Sequence, residues 1–133
     1  MLSKESLDHM KLSYNLSIKH SLKSMETLCK RSYSACIFSH RKIDTGDAIG
    51  RHTVFYRDCL LEKAEEIRAL ICEPMQMSRI RQLACEKYAF HTKDLLKADI
   101  YSRTIRGYVD YLVDMGQVKC FANDGLEVYE ATR

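Results

Sequence analysis

The stretch from Thr92 to Thr132, TKDLLKADIYSRTIRGYVDYLVDMGQVKCFANDGLEVYEAT, decides the fold of this chain. It predicts, in order, a short helix at 93–98, a turn at 99–101, a longer helix at 102–115 and two strands at 117–121 and 126–130. Gly116 follows the longer helix, where a glycine in the left-handed conformation commonly ends a helix. The hairpin turn is placed at 122–125, because asparagine and glycine tolerate the positive φ angles that tight hairpin turns need.

The apolar positions of this stretch predict which side chains face the core. Those predicted to point inward are Leu95 and Leu96 in the short helix, Ile105, Tyr108, Val109 and Leu112 in the longer helix, and Leu126 and Val128 in the second strand. Glu127 and Tyr129 are predicted to face outward.

Two segments of the stretch resemble the winged helix-turn-helix domain of bacterial and phage transcriptional regulators. Asp99–Arg106 is similar to the family's turn and the start of its recognition helix, and Leu112–Val118 is similar to the exit of that helix into the wing. The resemblance covers residues 76–133. It implies that the helix at about 102–115 lies in the major groove of double-stranded DNA.

A helical wheel places the candidate DNA-binding side chains away from the core. Arg103 and Gly107 point opposite Ile105, while Thr104 and Arg106 lie on the flanks. Arginine can hydrogen-bond O6 and N7 of guanine, and a glycine permits close approach to the groove wall. The candidate DNA-binding residues are Thr92, Tyr101, Ser102, Arg103, Thr104, Arg106, Gly107 and Lys119.

The charge of this region leaves a second function open. Residues 74–133 hold nine Lys and Arg against eight Asp and Glu, whereas non-specific DNA affinity depends on neutralising phosphates. The near-neutral balance favours a non-catalytic protein-interaction module, such as an inhibitor or antirepressor, that uses the same fold to bind another protein. A sequence-specific, dimeric transcriptional regulator remains the first hypothesis.

The N-terminal region, residues 1–73, is predicted to be helical and to serve dimerisation or partner binding, with the winged helix-turn-helix domain at 74–133. One long helix is expected from Lys4 to Arg31, with an apolar stripe formed by Leu7, Met10, Tyr14, Ile18, Leu22, Met25 and Cys29. A loop is expected at 40–51. A second helix at 54–72 is expected to bury Tyr56, Leu60, Ala64, Ile67 and Ile71 and to end before Pro74. A third begins at Ser78, with Ile80, Leu83, Ala84 and Tyr88 facing inward. The predicted fold class is therefore mostly α with a small β-hairpin.

The amino-acid composition indicates the cellular compartment in which the protein is expected to work. The hydrophobic content of 46% is enough for a packed core, and no apolar run reaches the roughly 18 to 20 residues of a membrane span. The polar N-terminus lacks the apolar segment of a secretory signal. The six cysteines form no CxxC pair, so a cytoplasmic protein without disulfides is expected.

Metal, cofactor and catalytic functions are not expected. His20, Cys29, Cys36 and His40 are zinc-binding residue types, but structural zinc sites pair ligands two to four residues apart. No set of residues suggests the geometry of an active site. The small size and simple organisation suggest a phage or plasmid regulator that forms a homodimer.

Overall fold

A computed structural model describes residues 12–15, 17–37 and 43–132. Over these residues the chain is mostly helical with a small antiparallel sheet, which confirms the predicted composition of the fold. The described helices are α1 (Ile18–Cys29), α2 (Ala48–Arg68), α3 (Met77–Tyr88) and α4 (Leu95–Asp114). The described strands are β1 (Ala35–Ile37), β2 (Ile43–Thr45), β3 (Met75–Gln76), β4 (Val118–Asn123) and β5 (Leu126–Ala131).

The predicted hairpin is present and forms most of the larger sheet. β4 and β5 pair antiparallel along their whole length, so that Asp124 and Gly125 alone make the turn. Their φ angles are +50° and +79°, as a two-residue type I′ turn requires. β3 pairs antiparallel with β5 and gives the order β3-β5-β4. The sequence does not predict β3, because two residues carry no readable periodicity.

Helix α4 is continuous through residues 99–101, so the prediction of a turn between two helices at this point is wrong. The carboxylate of Asp94 caps the helix by accepting hydrogen bonds from the backbone N–H groups of Leu96 and Lys97. Residues 99–101 contain no glycine or proline to interrupt the helix. An ion pair between Asp99 and Arg103, one turn apart, further favours the helical conformation.

The break between helices lies at residues 89–94 instead, which makes α3 and α4 the consecutive helix pair. Ala89 ends α3 with a φ of +49°, in the left-handed region. The ring of Phe90 then stacks on Tyr101 of α4, with 4.2 Å between the ring centroids and 7° between their planes. This stack fixes the connection against the first half of α4.

A core cluster lies between the helices and the larger sheet. The predicted inward face of α4 is confirmed, since Ile105, Tyr108, Val109 and Leu112 are at most 1% exposed. The predicted inward residues Ile80, Ala84 and Tyr88 of α3 are also buried, and Leu83 is partly buried. The predicted stripe of α2 lies in the same cluster, as do Ile18 and Met25 of α1. The core therefore contains side chains from both sides of the boundary predicted at residue 74.

The predicted orientations at two places are wrong. Leu95 and Leu96 are exposed, because α4 buries no side chain before Thr104 and its first turns extend beyond the packed region. In β5, Tyr129 is 1% exposed and faces the core. Val128 is buried on the opposite face of the strand, and Leu126 is exposed beside the hairpin turn, beyond the packed part of the sheet.

The N-terminal helix is shorter than predicted. Residues 12–15 and 17 are not helical, and α1 begins at Ile18, whereas residues 4–11 and 16 lie outside the described part of the chain. The hydroxyl of Ser17 caps α1 by accepting a hydrogen bond from the backbone N–H of His20, which places the start of the helix at Ile18. The side chains of Ser13 and Asn15 lie 2.7 Å and 3.1 Å from the hydroxyl of Tyr56 and tie the preceding segment to α2. Tyr14 and Cys29, both predicted in the buried stripe, are exposed.

The predicted loop at 40–51 contains regular structure in its described part. β2 pairs antiparallel with β1, a turn follows at Gly46, and α2 begins at Ala48 rather than at Val54. α2 ends at Arg68, a few residues before the predicted end. No helix within the described ranges is both long and apolar enough to cross a membrane.

Candidate functional site on helix α4

The exposed side of α4 carries the predicted arginine surface. The Arg103 side chain is 62% exposed, and Asp110 and Asp114 are exposed as the helical wheel places them. Gly107, in contrast, is buried and lies beside Arg81 of α3. The wheel assigns Gly107 to the exposed side because it takes no account of α3, which covers that flank. Gly107 is therefore not a bare spot that a DNA groove could approach.

Both arginines of α4 form ion pairs with acidic side chains. The Nε atom of Arg103 lies 2.8 Å from a carboxylate oxygen of Asp99. Arg106 donates a 2.7 Å hydrogen bond to Asp110 and a 3.3 Å hydrogen bond to Glu127 of β5. The arginine surface is thus close to charge balance.

Arg106 connects α4 to the hairpin. Its guanidinium lies 5.8 Å from the centre of the Tyr129 ring, and the Tyr129 hydroxyl donates a 2.8 Å hydrogen bond to Glu127. Partial burial opposes the charged form of Arg106, but the hydrogen bond and charge of Asp110, with the charge of Glu127, raise its pKa. The hydrogen bond from Tyr129 and the charge of Arg106 hold the pKa of Glu127 below its usual range. Arg106 therefore has a structural role in positioning β5.

Three other predicted site residues lie on the first half of α4, and one of them is buried. Thr104 is 3% exposed and donates a 2.8 Å hydrogen bond to the carbonyl of Ile100. This arrangement is incompatible with the predicted DNA contact of Thr104. Tyr101 and Ser102 are partly buried.

Thr92 and Lys119 lie away from this surface of α4. Thr92 belongs to the α3–α4 connection, where its hydroxyl accepts a 3.0 Å hydrogen bond from the backbone N–H of Asp94. Lys119 is exposed on β4, directly opposite Glu130 in the antiparallel register. The structure therefore does not unite the predicted residues in one surface.

A groove of about 500 Å³ lies between α3 and α4 and contains a residue that the sequence did not indicate. It is lined by Arg81, Asp99, Ser102, Arg103, Arg106, Gly107 and Asp110. The Nε atom of Arg81 is buried and has no hydrogen-bond partner among the described residues. Arg81 directly follows the inward residue Ile80, which is only a weak sequence signal that its side chain is partly buried. Arg81 lies near the arginines of α4 because α3 packs against α4.

The leading end of α4, residues 95–100, is an apolar surface that sequence reasoning also missed. Leu95 is 84% exposed and Leu96 is 68% exposed, and Ile100 one turn later is 37% exposed. Lys93 and Lys97 are exposed beside them. Two adjacent, largely exposed leucines in an otherwise amphipathic helix point to a contact surface.

The candidate zinc residues do not provide a metal site in the described part of the chain. In those ranges no three His, Cys, Asp or Glu side chains come together as metal ligands. His40 lies outside the described residues.

Comparison with known proteins relates the chain to others by fold alone. No family model matches it, and no curated protein matches its sequence significantly. A solved structure of a beta-lactamase domain protein from Burkholderia ambifaria has a similar fold, with a TM-score of 0.64 and 18% sequence identity. The match covers 84% of this chain and 32% of that chain. The chain thus spans about a third of the length of the protein it resembles.

Proposed function

We propose that α2 to β5 form a winged helix-turn-helix, in which α3 and α4 are the helix pair and β4 and β5 are the wing. The order of one helix, one strand, two helices and a hairpin supports this assignment. The sheet order supports it as well, because β3 lies next to the last strand of the hairpin. The arrangement keeps the resemblance of Leu112–Val118 to the exit of the recognition helix into the wing. It does not keep that of Asp99–Arg106 to the turn, and it moves the helix pair to 77–88 and 95–114.

This module is non-catalytic and binds another protein through the leading end of α4. The observation that carries the proposal is the exposure of Leu95 and Leu96. Full burial of a leucine side chain contributes roughly 1.5 to 3 kcal/mol, so a partner that covers both leucines gains substantial affinity. Lys93 and Lys97 beside the leucines are balanced by the exposed Asp94 and Asp99, so the apolar contact supplies the affinity at this end of the helix.

The charges of α4 support a protein partner over a nucleic acid. The helix carries Lys97, Arg103 and Arg106 against Asp99, Asp110 and Asp114. Arg103 and Arg106 hold ion pairs with the acidic residues. A phosphate backbone needs cations that are free to replace its counterions, and it would be repelled by the exposed aspartates.

Site-specific photo-crosslinking tests the protein partner. A benzophenone amino acid at position 96, on the leading end of α4, is expected to capture one predominant protein in cells that express the chain naturally. The captured protein, once purified, is expected to bind the wild-type chain. The double substitution Leu95→Asp and Leu96→Asp is expected to weaken that binding at least about 30-fold, because loss of the apolar contact of even one leucine, roughly 2 kcal/mol, predicts that change.

Val54 supplies the matched control. It is an apolar residue of α2 that is 45% exposed, and the same crosslinker there is expected to capture little of the partner. Val54→Asp should leave the affinity unchanged. Equal capture from both positions, or equal binding by the Leu95→Asp/Leu96→Asp variant, would contradict the proposal. A crosslinked dimer of the 15.5 kDa chain would identify a second copy and would overturn the proposal that a different protein is bound.

A dimeric, sequence-specific DNA-binding regulator is the second candidate. The observation that favours it is the 62% exposure of Arg103, whose ion pair with Asp99 lies at the surface. A surface ion pair contributes only about 0 to 1 kcal/mol, so a phosphate or a guanine could replace the aspartate. Such a regulator would read the groove with Arg103 and Ser102 at the first half of α4.

Duplex binding at several salt concentrations separates the two candidates. For a protein-interaction module we expect weak binding to a library of labelled DNA duplexes. Arg103→Ala combined with Arg106→Ala should change that binding by about threefold or less. A DNA reader would instead lose roughly 1 to 3 kcal/mol for each base contact removed and would show a steep salt dependence. The latter result would select the regulator.

A further inference from the structure

Arg81 places an unpaired donor at the groove between α3 and α4. Its Nε atom is buried and has no hydrogen-bond partner among the described residues, while the side chain lines the groove. A buried N–H group that has lost its water without gaining an acceptor is unfavourable. The two terminal amino groups of the same guanidinium also have no acceptor among the described residues and are not buried like Nε, so they are the donors that an acceptor in the groove would meet.

The other charged groups define the acceptor. Arg103 is paired with Asp99, and Arg106 is paired with Asp110. The groove thus contains two neutralised arginine–aspartate pairs and one further guanidinium. Arg106 is bonded to Glu127 of β5 as well, so Arg81 carries the one positive charge of the lining that has no acidic partner among the described residues, and this charge is complementary to one carboxylate. A guanidinium can bind a carboxylate through two parallel hydrogen bonds.

We propose that this groove is a carboxylate-binding site, and that its occupant is an Asp or Glu side chain of the protein that binds the leading end of α4. This inference rests on the proposed protein-interaction function. The two surfaces are continuous, because Leu95, Asp99, Ser102 and Arg106 follow one another at helical spacings of four, three and four residues. The leucines anchor the partner, and Arg81 selects a partner with an acid at the adjoining position.

The rim of the groove disfavours a nucleic acid in the same place. Asp99 and Asp110 are exposed on it, and a phosphate backbone would bring several charges past both carboxylates. A single carboxylate brings one negative charge to Arg81, whose guanidinium has no acidic partner among the described residues, whereas Arg103 and Arg106 already have theirs. Inorganic phosphate can also accept hydrogen bonds from a guanidinium, so its binding is compared with that of acetate.

NMR titration with sodium acetate tests the site without the partner protein. At constant ionic strength, the Nε–H resonance of Arg81 and the backbone amide resonance of Gly107 are expected to shift along one saturable curve in acetate and not in chloride. Arg57, which is exposed and bonded to Asp58, is expected to show no saturable change.

Two substitutions in α3 form a matched pair. Arg81→Met removes the donor, and we expect it to reduce the acetate-dependent shift of Gly107 at least fivefold. Arg79→Met removes an exposed guanidinium from the same helix, and the shift should remain as in the wild type. If Arg81→Met does not fold, Arg81→Gln keeps a polar side chain but removes the positive charge, and it should lose the shift as well.

Several results would overturn the site. These are a linear shift in acetate, an equal shift in chloride, an equal loss in Arg79→Met, or at least tenfold tighter binding of phosphate than of acetate. Failure of acetate binding with continued capture of a partner from position 96 would refute the groove and leave the proposed function intact. Saturable acetate binding without any protein partner would refute the proposed function and the partner side chain as occupant, and would leave only the carboxylate-binding groove.

Discussion

Leu112→Ala is expected to destabilise the protein by about 2 to 5 kcal/mol, the usual range for a leucine removed from a packed core. Leu112 is fully buried on the inner face of α4, and its carbonyl accepts a 2.9 Å hydrogen bond from Gln117 at the start of the wing. The truncated side chain leaves a cavity beneath the end of the helix that leads into β4. The free energy of unfolding from urea titration, followed by circular dichroism, measures the loss.

Leu96→Ala is the matched control, because it makes the same chemical change in the same helix. Leu96 is 68% exposed, so the free energy of unfolding is expected to change by no more than about 0.5 kcal/mol. If Leu96→Ala were as destabilising as Leu112→Ala, the leading end of α4 would belong to the core. The exposed leucines would then no longer support a contact surface.

The parts of the fold that could be predicted depend on short-range patterns. The hairpin follows from Asn123, Asp124 and Gly125 between two alternating segments. The buried face of α4 follows from apolar residues at helical spacing, and Ile105 and Leu112 lie in the core as that spacing predicts. Both features are encoded within about ten residues, so no knowledge of the tertiary structure is needed.

The start of α4 could not be predicted in the same way, because two signals compete there. Thr92 and Asp94 are both good helix caps, and the resemblance to a family favoured a turn at 99–101. In the structure the cap of Asp94 and the Asp99–Arg103 pair extend one helix through that turn. Leu95 and Leu96 then fall on a part of the helix with no neighbour to cover them, which a periodicity argument cannot detect.

In the candidate site, too, only the contacts between residues close in sequence could be predicted. The exposure of Arg103 and its pairing with Asp99 four residues earlier can be read from the sequence. The contact of Arg106 with Glu127 cannot, since it joins residues 21 positions apart. The unpaired Nε atom of Arg81 depends on the packing of α3 against α4. The sequence therefore indicated which face carries charge, but it did not indicate that this charge is largely neutralised.

Gly46→Ala is expected to destabilise the protein by about 3 kcal/mol, the upper part of the usual range for a substitution that forces the backbone to move. A Cβ atom at Gly46 would overlap the carbonyl group of Tyr33, and it would also lie 3.2 Å from the carbonyl carbon of Ser34. These are backbone atoms, so a change of rotamer cannot relieve the overlap. The hydrogen bond from the Gly46 N–H to the Ser34 carbonyl, 3.3 Å long, should be lost. Urea titration should show the loss of stability, and limited trypsin digestion should show faster cleavage after Lys30 and Arg31.

Gly50→Ala is the control, and its expected effect has the opposite sign. Gly50 lies in the first turn of α2 and has no atom within 4 Å of an added Cβ. Alanine favours the helix over glycine by up to about 1 kcal/mol, and a gain of roughly half that amount is expected so close to the helix start. Opposite signs at two glycines four residues apart would show that the backbone at 33–34 packs directly on Gly46. Equal stabilisation by both substitutions would mean that β1 and the start of α2 are not held together in this way.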